Sequence, residues 1–401
     1  MRIAITTFFQ SQTNYGQLLQ AYALQVVLRR MGHYPYTIRY GFHEYLQPVH
    51  GEMVEIPSEV PVPPHTLKER LRAFLKERFG RPESGEPLPA GTREDRHFDD
   101  FRRMHMNLSQ YVYNCVEDLQ KYPPLADCYL TGSDQVWAQL LSNPNNRTFF
   151  LDFGFPDTKR IAYAPSFAVE KYPAELCEEL QAQLKRFDAI SVREPSGVEI
   201  CRKVGYDAKL VLDPTLLLGG WHYKWLARES ETALPRRFML VYHVNVTDAE
   251  DLHWKMFSKY NRQKSLRSIA VHANGEGEKD IEILKDAEYW YPTIQDWIRL
   301  IAASRYVLTT SFHGMVFSIL LHKPFFVCLR PDSQFAGNDR IISFLSRLGL
   351  ENRVITSKTN IKKIISKRIH WKNVEKKLKA AQKESLDFLF TNLNIFSSLN
   401  H

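Results

Sequence analysis

Short apolar runs alternate with amphipathic stretches along most of this chain, and the alternation predicts a parallel α/β fold. Arg2–Thr7 has the composition of a buried strand, and in Gly16–Met31 the apolar residues recur every three or four positions. A recurrence of apolar residues every three or four positions is the period of a helix that packs one face against a sheet. A strand followed by such a helix and a further strand is the repeating unit of doubly wound sheets.

The same criteria predict further strands on both sides of Gly219–Arg236, a stretch that has the character of a linker. We therefore predict two Rossmann-like domains that face one cleft, over residues 1–218 and 219–373, and a C-terminal helix over residues 374–401 that packs back on the first domain. The predicted strands are Tyr36–Tyr40, Cys128–Leu130, Arg160–Tyr163, Ala189–Val192, Lys209–Leu212, Phe238–His243, Ser268–His272, Tyr306–Leu308 and Phe325–Cys328, and the predicted helices are Thr66–Phe79, Arg93–His105, Ile294–Ser304, Gly314–His322 and Val374–Leu393.

Polar residues follow directly on several of these strands. Thr131–Gln135, Arg193–Glu194 and Asp213 come after strands of the first half, and Thr309–His313 comes after a strand of the second half. In open α/β sheets, ligands bind in the crevice at the carboxyl ends of the strands. The sequence therefore predicts a ligand cleft at this edge.

His313 is the first candidate for chemistry in this cleft. It lies in the turn before the predicted helix Gly314–His322, beside the hydroxyl groups of Thr309, Thr310 and Ser311. Burying several polar groups is unfavourable unless they are bonded, so we interpret the turn as part of a ligand site. The alternative is a histidine that caps the helix or is hydrogen-bonded in the core.

The loop between the first strand and the first helix has the sequence QSQTNYG at residues 10–16. It lacks both the glycine pattern of dinucleotide-binding turns and the lysine of a P-loop. Its amide and hydroxyl groups suit hydrogen bonding to a polyhydroxylated ligand, with Asn14 and Tyr15 as candidates. An ordinary capped turn is an equally good interpretation.

The net charge of +8 is concentrated near the C-terminus of this 401-residue chain. Between Lys358 and Lys383 there are ten lysine and arginine residues against Glu375 alone, a local balance of +9. The segment matches no helix-turn-helix or RNA-binding signature, so we predict no nucleic-acid partner. It is either a solvated helix face or a surface for anionic membrane lipids.

Cysteine use and hydrophobicity exclude several other classes. The five cysteines are widely spaced without a CxxC pair, and no group of potential ligands has metal-site spacing, so we predict neither a disulfide framework nor a metal site. No apolar run approaches the length of a membrane span, and the N-terminus has the pattern of a strand. We therefore expect a cytoplasmic protein that is at most peripheral at the inner face of the membrane.

Five short motifs, in their order along the chain, resemble those of the polysaccharide pyruvyl transferase family. They are Asn14–Gly16, Gly132–Trp137, Ser191–Glu194, Asp213–Pro214 and Ser311–Gly314, and the similarity extends from Thr7 to about Gly349. The resemblance implies a GT-B-like fold. It also implies transfer of pyruvate from phosphoenolpyruvate to a hexose of a surface polysaccharide or its lipid-linked precursor, with formation of a ketal, release of phosphate and no further cofactor.

Two residues carry the catalytic expectation. His313 can supply an acid or a base at neutral pH. Arg193 can bind the carboxylate or the phosphate of the donor in a bidentate manner. The alternative for Arg193 is a salt bridge to Glu194 or Asp213.

On the donor side, Ser311 and the backbone amides around Gly314 are expected to hold phosphate oxygens. Some relatives carry an arginine where this chain has Ser311. The second arginine of the donor site is therefore not identified by the motif, and Arg330 and Arg340 are candidates by location.

On the acceptor side, the resemblance places Asn14, Tyr15, Ser133 and Asp134. Asp134 is equally consistent with a residue that caps its own turn. Two other functions stay open. One is a nucleotide-sugar glycosyltransferase of the GT-B type, for which the missing DxD motif implies independence of metal, and the other is a sugar-binding protein without activity.

Overall fold

The computed structural model describes residues 1–41, 91–141, 144–273, 282–330 and 337–393. Within these residues the chain forms two β-sheets, one from each half, and every strand pair in both sheets is parallel. The predicted α/β class is therefore confirmed. The predicted helix Thr66–Phe79 lies outside the described residues.

The first sheet has seven strands in the order β3-β2-β1-β4-β5-β6-β7. The chain order reverses between β1 and β4, so the topological switch point of this sheet lies between these two strands. The strands are β1 (Arg2–Thr6), β2 (Tyr34–Tyr40), β3 (Leu108–Tyr113), β4 (Cys128–Thr131), β5 (Lys159–Ala162), β6 (Ala189–Val192) and β7 (Lys209–Leu210).

The second sheet has six strands in the order β10-β9-β8-β11-β12-β13. Its switch point lies between β8 and β11, where Thr309 pairs with Tyr242. The strands are β8 (Phe238–Val244), β9 (Arg267–Ala273), β10 (Glu288–Tyr289), β11 (Val307–Thr309), β12 (Phe325–Cys328) and β13 (Val354–Ile355).

Helices connect the strands, as crossover connections between parallel strands require. They are α1 (Tyr15–Arg30), α2 (Phe98–His105), α3 (Val116–Lys121), α4 (Cys177–Leu184), α5 (Pro195–Lys203), α6 (Gly220–Leu226), α7 (Trp254–Gln263), α8 (Ile294–Ala303), α9 (Phe312–Leu320), α10 (Asn338–Leu348), α11 (Ile361–Ser366) and α12 (Trp371–Leu393).

The stretch predicted as a linker, Gly219–Arg236, contains the helix α6, so that prediction was wrong in part. His222, Tyr223 and Leu226 of this helix are buried. The Tyr22 hydroxyl hydrogen-bonds to the His222 ring at 2.9 Å, which fastens the connecting segment to α1. The predicted boundary at residues 218 and 219 lies between the last strand of the first sheet and the first strand of the second.

Aromatic residues pack between the two sheets. The Tyr15 ring stacks on Trp297 with centroids 5.1 Å apart, and its edge meets Tyr242 at 5.8 Å. The Tyr15 hydroxyl donates a 2.6 Å hydrogen bond to the Pro292 carbonyl. Tyr15 belongs to the first half of the chain and its three partners belong to the second, so this cluster joins the halves.

The last helix, α12, returns to the first half. The Ser385 hydroxyl accepts a hydrogen bond from the Leu212 amide at 2.9 Å, and the Gln382 amide group donates to the Leu216 carbonyl at 2.6 Å. Leu389 is fully buried, whereas its neighbour Phe390 is 60% exposed. The apolar face of α12 is therefore in contact with the protein along its second half.

We predict that Leu389→Ala lowers the free energy of unfolding by about 2–5 kcal/mol, because it removes a fully buried side chain and leaves a cavity. Phe390→Ala is the matched control in the same helix turn, and it should change the value by less than about 0.5 kcal/mol. Urea denaturation of both variants measures the difference. Equal effects of the two substitutions would contradict the packing of this helix.

Candidate active site

The buried carboxylate of Asp213, just after β7, lies at the centre of the site and is 1% exposed. Its Oδ1 accepts hydrogen bonds from the Thr215 amide at 3.0 Å and the Thr215 hydroxyl at 2.6 Å. Its Oδ2 accepts from Ser133 Oγ and Arg193 Nη1, both at 2.9 Å, and lies 3.4 Å from His313 Nε2. One carboxylate therefore connects strand ends of the first sheet with the histidine of the second.

Arg193 follows β6 and has a side chain that is 2% exposed. Besides its bond to Asp213, its guanidinium lies 3.6 Å from an Asp134 oxygen and 3.9 Å from a Glu194 oxygen. The Phe312 ring packs against it, with the ring centroid 5.1 Å from Cζ. The salt bridge weighed above as the alternative is thus present, yet Nε and Nη2 of this guanidinium have no hydrogen-bond acceptor.

His313 lies in the first turn of α9 and is 7% exposed. Ser311 caps this helix, because its hydroxyl accepts a 3.3 Å hydrogen bond from the Gly314 amide. The imidazole packs against Gly16 at the start of α1, where an added Cβ would lie 2.1 Å from Nδ1. A glycine at position 16 is therefore required for the histidine to take this position.

The hydroxyl groups around His313 are bonded to the backbone of their own neighbourhood. Thr309 Oγ1 donates to the Tyr242 carbonyl at 2.6 Å, and Thr310 Oγ1 accepts from the Val244 amide at 3.1 Å. The interpretation that these hydroxyls are buried for a ligand was therefore wrong for Thr309 and Thr310. They join β11 to β8 at the switch point.

A second arginine, Arg340, approaches the same aromatic ring from the first turn of α10. Its Cζ lies 5.8 Å from the Phe312 centroid, and its Nε and Nη1 are buried with no hydrogen-bond acceptor among the described residues. Burial, and next the positive charge of Arg193, lower the pKa of this guanidinium to about 10. It still carries its charge at neutral pH.

Opposing effects set the charges at the centre of the site. Burial by itself would raise the pKa of the Asp213 carboxyl, but the His313 imidazole and the Arg193 guanidinium outweigh burial and hold that pKa well below its usual range. Burial would lower the pKa of Arg193, but the neighbouring carboxylates, chiefly Asp213, raise it. Burial raises the pKa of Glu194, whose Oε2 has no hydrogen-bond partner.

The structure places the predicted acceptor residues unequally. Asn14 caps α1, since its side chain accepts from the Gln17 amide at 3.2 Å, and it is half-buried. Tyr15 is fully buried between the sheets. Its ring stacks on Trp297 and its hydroxyl is bonded to the Pro292 carbonyl, so the structure shows Tyr15 in a packing role, and the acceptor contact expected for it stays a prediction.

Ser133 is also fully buried, and its hydroxyl donates to the Asp213 carboxylate, so the contact that the structure shows for it lies inside the protein; the acceptor contact stays a prediction. Asp134 has φ 81°, a left-handed conformation that aspartate tolerates better than most residues. Its Oδ1 accepts from the Gln135 amide at 2.9 Å, which is the turn cap weighed above, and the side chain is 14% exposed.

From the sequence, Asp213 was a motif residue with no role beyond that of a salt-bridge partner for Arg193, and Arg340 was only a candidate by location. An aspartate directly after the predicted strand Lys209–Leu212 and before proline was the available signal for Asp213. For Arg340 the spacing of Ile341, Phe344 and Leu348 predicts an amphipathic helix, with the arginine in its first turn. Among the described residues, no group of three or more His, Cys, Asp and Glu side chains could hold a metal ion.

We predict that Asp213→Asn lowers the free energy of unfolding at neutral pH by about 3–5 kcal/mol, since Arg193 is left buried without its closest carboxylate. The folded-state pKa of Asp213 is depressed, so its stabilisation is complete above the unfolded-state pKa of about 4 and is lost as the pH falls below that value. Urea denaturation across this range should show a difference that shrinks in acid.

Asp286→Asn provides the control for this measurement, because Asp286 makes an exposed ion pair with Arg262 at 2.8 Å. Exposed pairs contribute about 0–1 kcal/mol, so the control should stay near the parent protein at every pH. If the Asp213 variant behaved like the control, the carboxylate would not have the central role described here.

Two solved structures illustrate what this chain is similar to in fold. UDP-N-acetylglucosamine 2-epimerase from Rickettsia bellii has a TM-score of 0.50 at 10% sequence identity, with 99% of this chain and 100% of that chain covered. The UDP complex of MnaA from S. aureus has a TM-score of 0.49 at 11% identity, with 99% and 98% covered. The likeness to the Rickettsia enzyme confirms the predicted GT-B-like fold, and at this identity it shows the fold alone.

Comparison of the sequence itself identifies the family. A search of curated proteins gives no significant match. The family model described as polysaccharide pyruvyl transferase matches residues 14–333, a range that includes Asp213, Arg193 and His313. This match covers well over half of the chain, and it shows that the chain belongs to the polysaccharide pyruvyl transferase family.

Proposed function

We propose that the protein transfers pyruvate from phosphoenolpyruvate to two hydroxyls of a hexose, in a surface polysaccharide or its lipid-linked precursor, and releases phosphate. The observation that carries the proposal is that Arg193, Arg340 and His313 lie together around Phe312. The donor has a phosphate and a carboxylate, which guanidinium groups bind by charge-assisted hydrogen bonds. The reaction also moves protons, which an imidazole can do at neutral pH.

Arg340 is proposed as the second cation of the donor site. Ser311 stands at the position where some relatives carry an arginine, and a serine carries no positive charge. Its hydroxyl caps α9. Arg193 and Arg340 together bring four nitrogens that are buried without an acceptor. Buried donors are nearly always hydrogen-bonded in native proteins, and the oxygens of a bound dianion would supply the acceptors.

The proposed reaction balances in protons and bonds. Two C–O bonds form between the hexose oxygens and C2 of the donor, while the bond from C2 to the phosphate oxygen breaks and the double bond between C2 and the methylene carbon becomes a single bond. The proton of one hydroxyl is delivered to the methylene carbon, which becomes a methyl group, and the other proton leaves with phosphate. His313 holds the proton in transit, while Asp213, whose Oδ2 lies 3.4 Å from Nε2, positions the imidazole.

The acceptor is proposed to lie on the side of Asn14 and Asp134, which keep exposed surface. All ten basic residues between Lys358 and Lys383 are exposed, as a surface for anionic lipid requires. We therefore place the protein in the cytoplasm, peripherally at the inner face of the membrane, where a lipid-linked precursor is accessible. No helix in the described ranges has the length and apolar content of a membrane span.

The first test incubates the protein with phosphoenolpyruvate, a nucleotide sugar and a set of aryl-linked and lipid-linked hexoses. We expect phosphate release in step with the mass gain of a pyruvyl ketal on one acceptor. A GT-B glycosyltransferase would instead release nucleotide from a nucleotide sugar and leave phosphoenolpyruvate intact, and a sugar-binding protein without activity would do neither. Either of these results would reject the proposal.

The second test separates proton transfer from donor binding. His313→Ala should lower kcat by about 10²–10⁴-fold with little change in the KM for phosphoenolpyruvate, since a positioned acid or base acts in the transition state. Arg340→Met should chiefly raise that KM, by roughly 10–100-fold, because it removes charge-assisted hydrogen bonds to the donor.

Arg347→Met is the matched control for the second test. Arg347 lies in the same helix and pairs with the exposed Glu384. If Arg340→Met and Arg347→Met had the same KM, Arg340 would not bind the donor. Parental turnover in a folded His313→Ala variant would return the histidine to a structural role.

A further inference from the structure

A cavity lined by cations lies where the chain leaves the second sheet and begins α12. It has a volume of about 870 Å³ and is formed by the end of α10, by the turn at residues 367–370 and by the first turns of α12. Among the described residues that line it there is no aspartate or glutamate. The cations of the lining are Arg353, Lys367, Arg368, Lys376 and Lys377.

Arg353 is the most informative residue of this lining. It is 1% exposed, and its Nη2 donates to the Lys367 carbonyl at 2.8 Å. Its Nε and Nη1 are buried, and no residue in the described ranges supplies a hydrogen-bond acceptor for them. Buried donors are nearly always hydrogen-bonded, so these two nitrogens indicate an acceptor that binds from the cavity.

The start of α12 adds to the positive potential of the cavity. This helix has 23 residues, and its first turn carries no acidic side chain to neutralise the N-terminal dipole. The N-terminus of a helix is a favourable position for phosphate, because backbone N–H groups point outward there. The dipole and the buried guanidinium thus act on the same volume.

Other charges near the cavity leave most of this potential in place. Glu351, outside the lining, accepts a hydrogen bond from Ser346 at 3.0 Å and lies close enough to Lys377 for that lysine to favour its carboxylate form. The Lys377 ammonium lies beside Gly349, at 3.0 Å from the position of an added Cβ. Lys377 is therefore partly neutralised, and Arg353, Lys367, Arg368 and Lys376 are the cations that a ligand would meet.

We propose that this cavity binds a phosphoryl group. A guanidinium with several N–H donors, ammonium groups and a helix N-terminus together match the tetrahedrally arranged oxygens and the negative charge of a phosphate or pyrophosphate group. The group could come from a soluble phosphate compound or from the headgroup of a lipid, and the experiment below separates these sources. The proposal goes beyond the function proposed above, because it requires no pyruvyl transfer.

The position of the cavity relates it to the Asp213 site. Helix α12 continues from the cavity to Ser385, which bonds to the backbone next to Asp213. From Asn373 to Ser385 the helix rises about 18 Å. A phosphorylated, lipid-linked acceptor held in the cavity would therefore be anchored at a distance from its reacting hexose.

The experiment compares two double variants of the full chain with the same change in charge. Arg368→Met/Lys376→Met removes two cations from the cavity, and Lys362→Met/Lys379→Met removes two exposed cations that do not line it. Equilibrium dialysis with inorganic pyrophosphate at low salt measures affinity and the number of bound ions. We expect the cavity variant to lose one binding class, or at least tenfold in its affinity, and the control variant to stay within about twofold of the parent.

Equal binding by the two double variants would overturn the proposal, because it would mean that the positive charge acts as a diffuse patch. Arg353→Met tests the buried donor, with its unfolding midpoint measured alongside. If Arg353→Met is unstable, Arg353→Lys, which keeps the charge and loses the fork, is expected to weaken pyrophosphate binding as well. Parental binding by that lysine variant would equally count against the site.

Vesicles distinguish the two sources of the phosphoryl group. Sedimentation with vesicles of phosphatidylcholine that contain phosphatidic acid should capture the control variant and not the cavity variant if the cavity takes a lipid headgroup. If both variants bind these vesicles equally while differing in pyrophosphate binding, the ligand is a soluble phosphate compound. Pyruvyl transfer to a soluble acceptor is assayed in parallel, and its absence would reject the function proposed above without affecting the result for the cavity.

Discussion

The buried carboxylate of Asp213 connects the parts of the site to one another. Moving a carboxylate from water into a protein interior costs several kcal/mol, and the cost is recovered only if its oxygens are fully bonded. Here the hydroxyl groups of Thr215 and Ser133, from the first half, are neutral donors, and Arg193 is a charged donor. His313, from the second half, lies 3.4 Å from the same carboxylate. The residues at these strand ends are therefore held in place by their bonds to the negative charge of the Asp213 carboxylate.

This linkage explains why the site depends on both halves of the chain. Arg193 follows a strand of the first sheet, and Phe312 and Arg340 belong to helices of the second, yet both guanidinium groups pack against the same ring. The stacked pair of Tyr15 and Trp297 joins the sheets nearby and fixes their approach. A change in the angle between the sheets would alter the distances among the cations before it disturbed either core.

The sequence was informative about the fold wherever a strand was buried on both faces. The first strand and the strand that precedes His313 are continuous apolar runs, and the structure contains both. Edge strand β3 was not predicted, because its residues Ser109 to Tyr113 alternate poorly and two of them are exposed. Helix α6 was missed because its buried face is made by His222 and Tyr223 as well as by aliphatic residues.

In the candidate site, too, the sequence indicated the residues that local patterns mark and missed those that depend on contacts between distant segments. Motif order indicated His313 and Arg193, since polar residues directly after buried strands need a reason to be there. Local order along the chain could not show that Tyr15 faces Trp297, nor that Arg340 reaches the ring beside Arg193, because those contacts join segments far apart in sequence. The hydroxyl of Thr309 was misinterpreted for a related reason, since its partner is a carbonyl of a strand more than sixty residues earlier.

This protein has buried cations around Phe312 and exposed cations on α11 and α12, and salt affects the two sets differently. The guanidinium groups around Phe312 are buried, so mobile ions screen their charges little. The basic residues of α11 and α12 are exposed, and in 0.1 M salt mobile ions screen their charges over a Debye length of about 10 Å. Attraction of the chain to an anionic surface would then follow the ionic strength, while its hold on a small bound dianion would not. Arg353 lies between these limits, because it is buried but borders a cavity whose other cations are exposed. A phosphoryl group that enters this cavity would exchange bound water for the buried Arg353 guanidinium, and salt would screen its attraction to the exposed lysines. The affinity should therefore depend on salt less steeply than the number of nearby charges suggests.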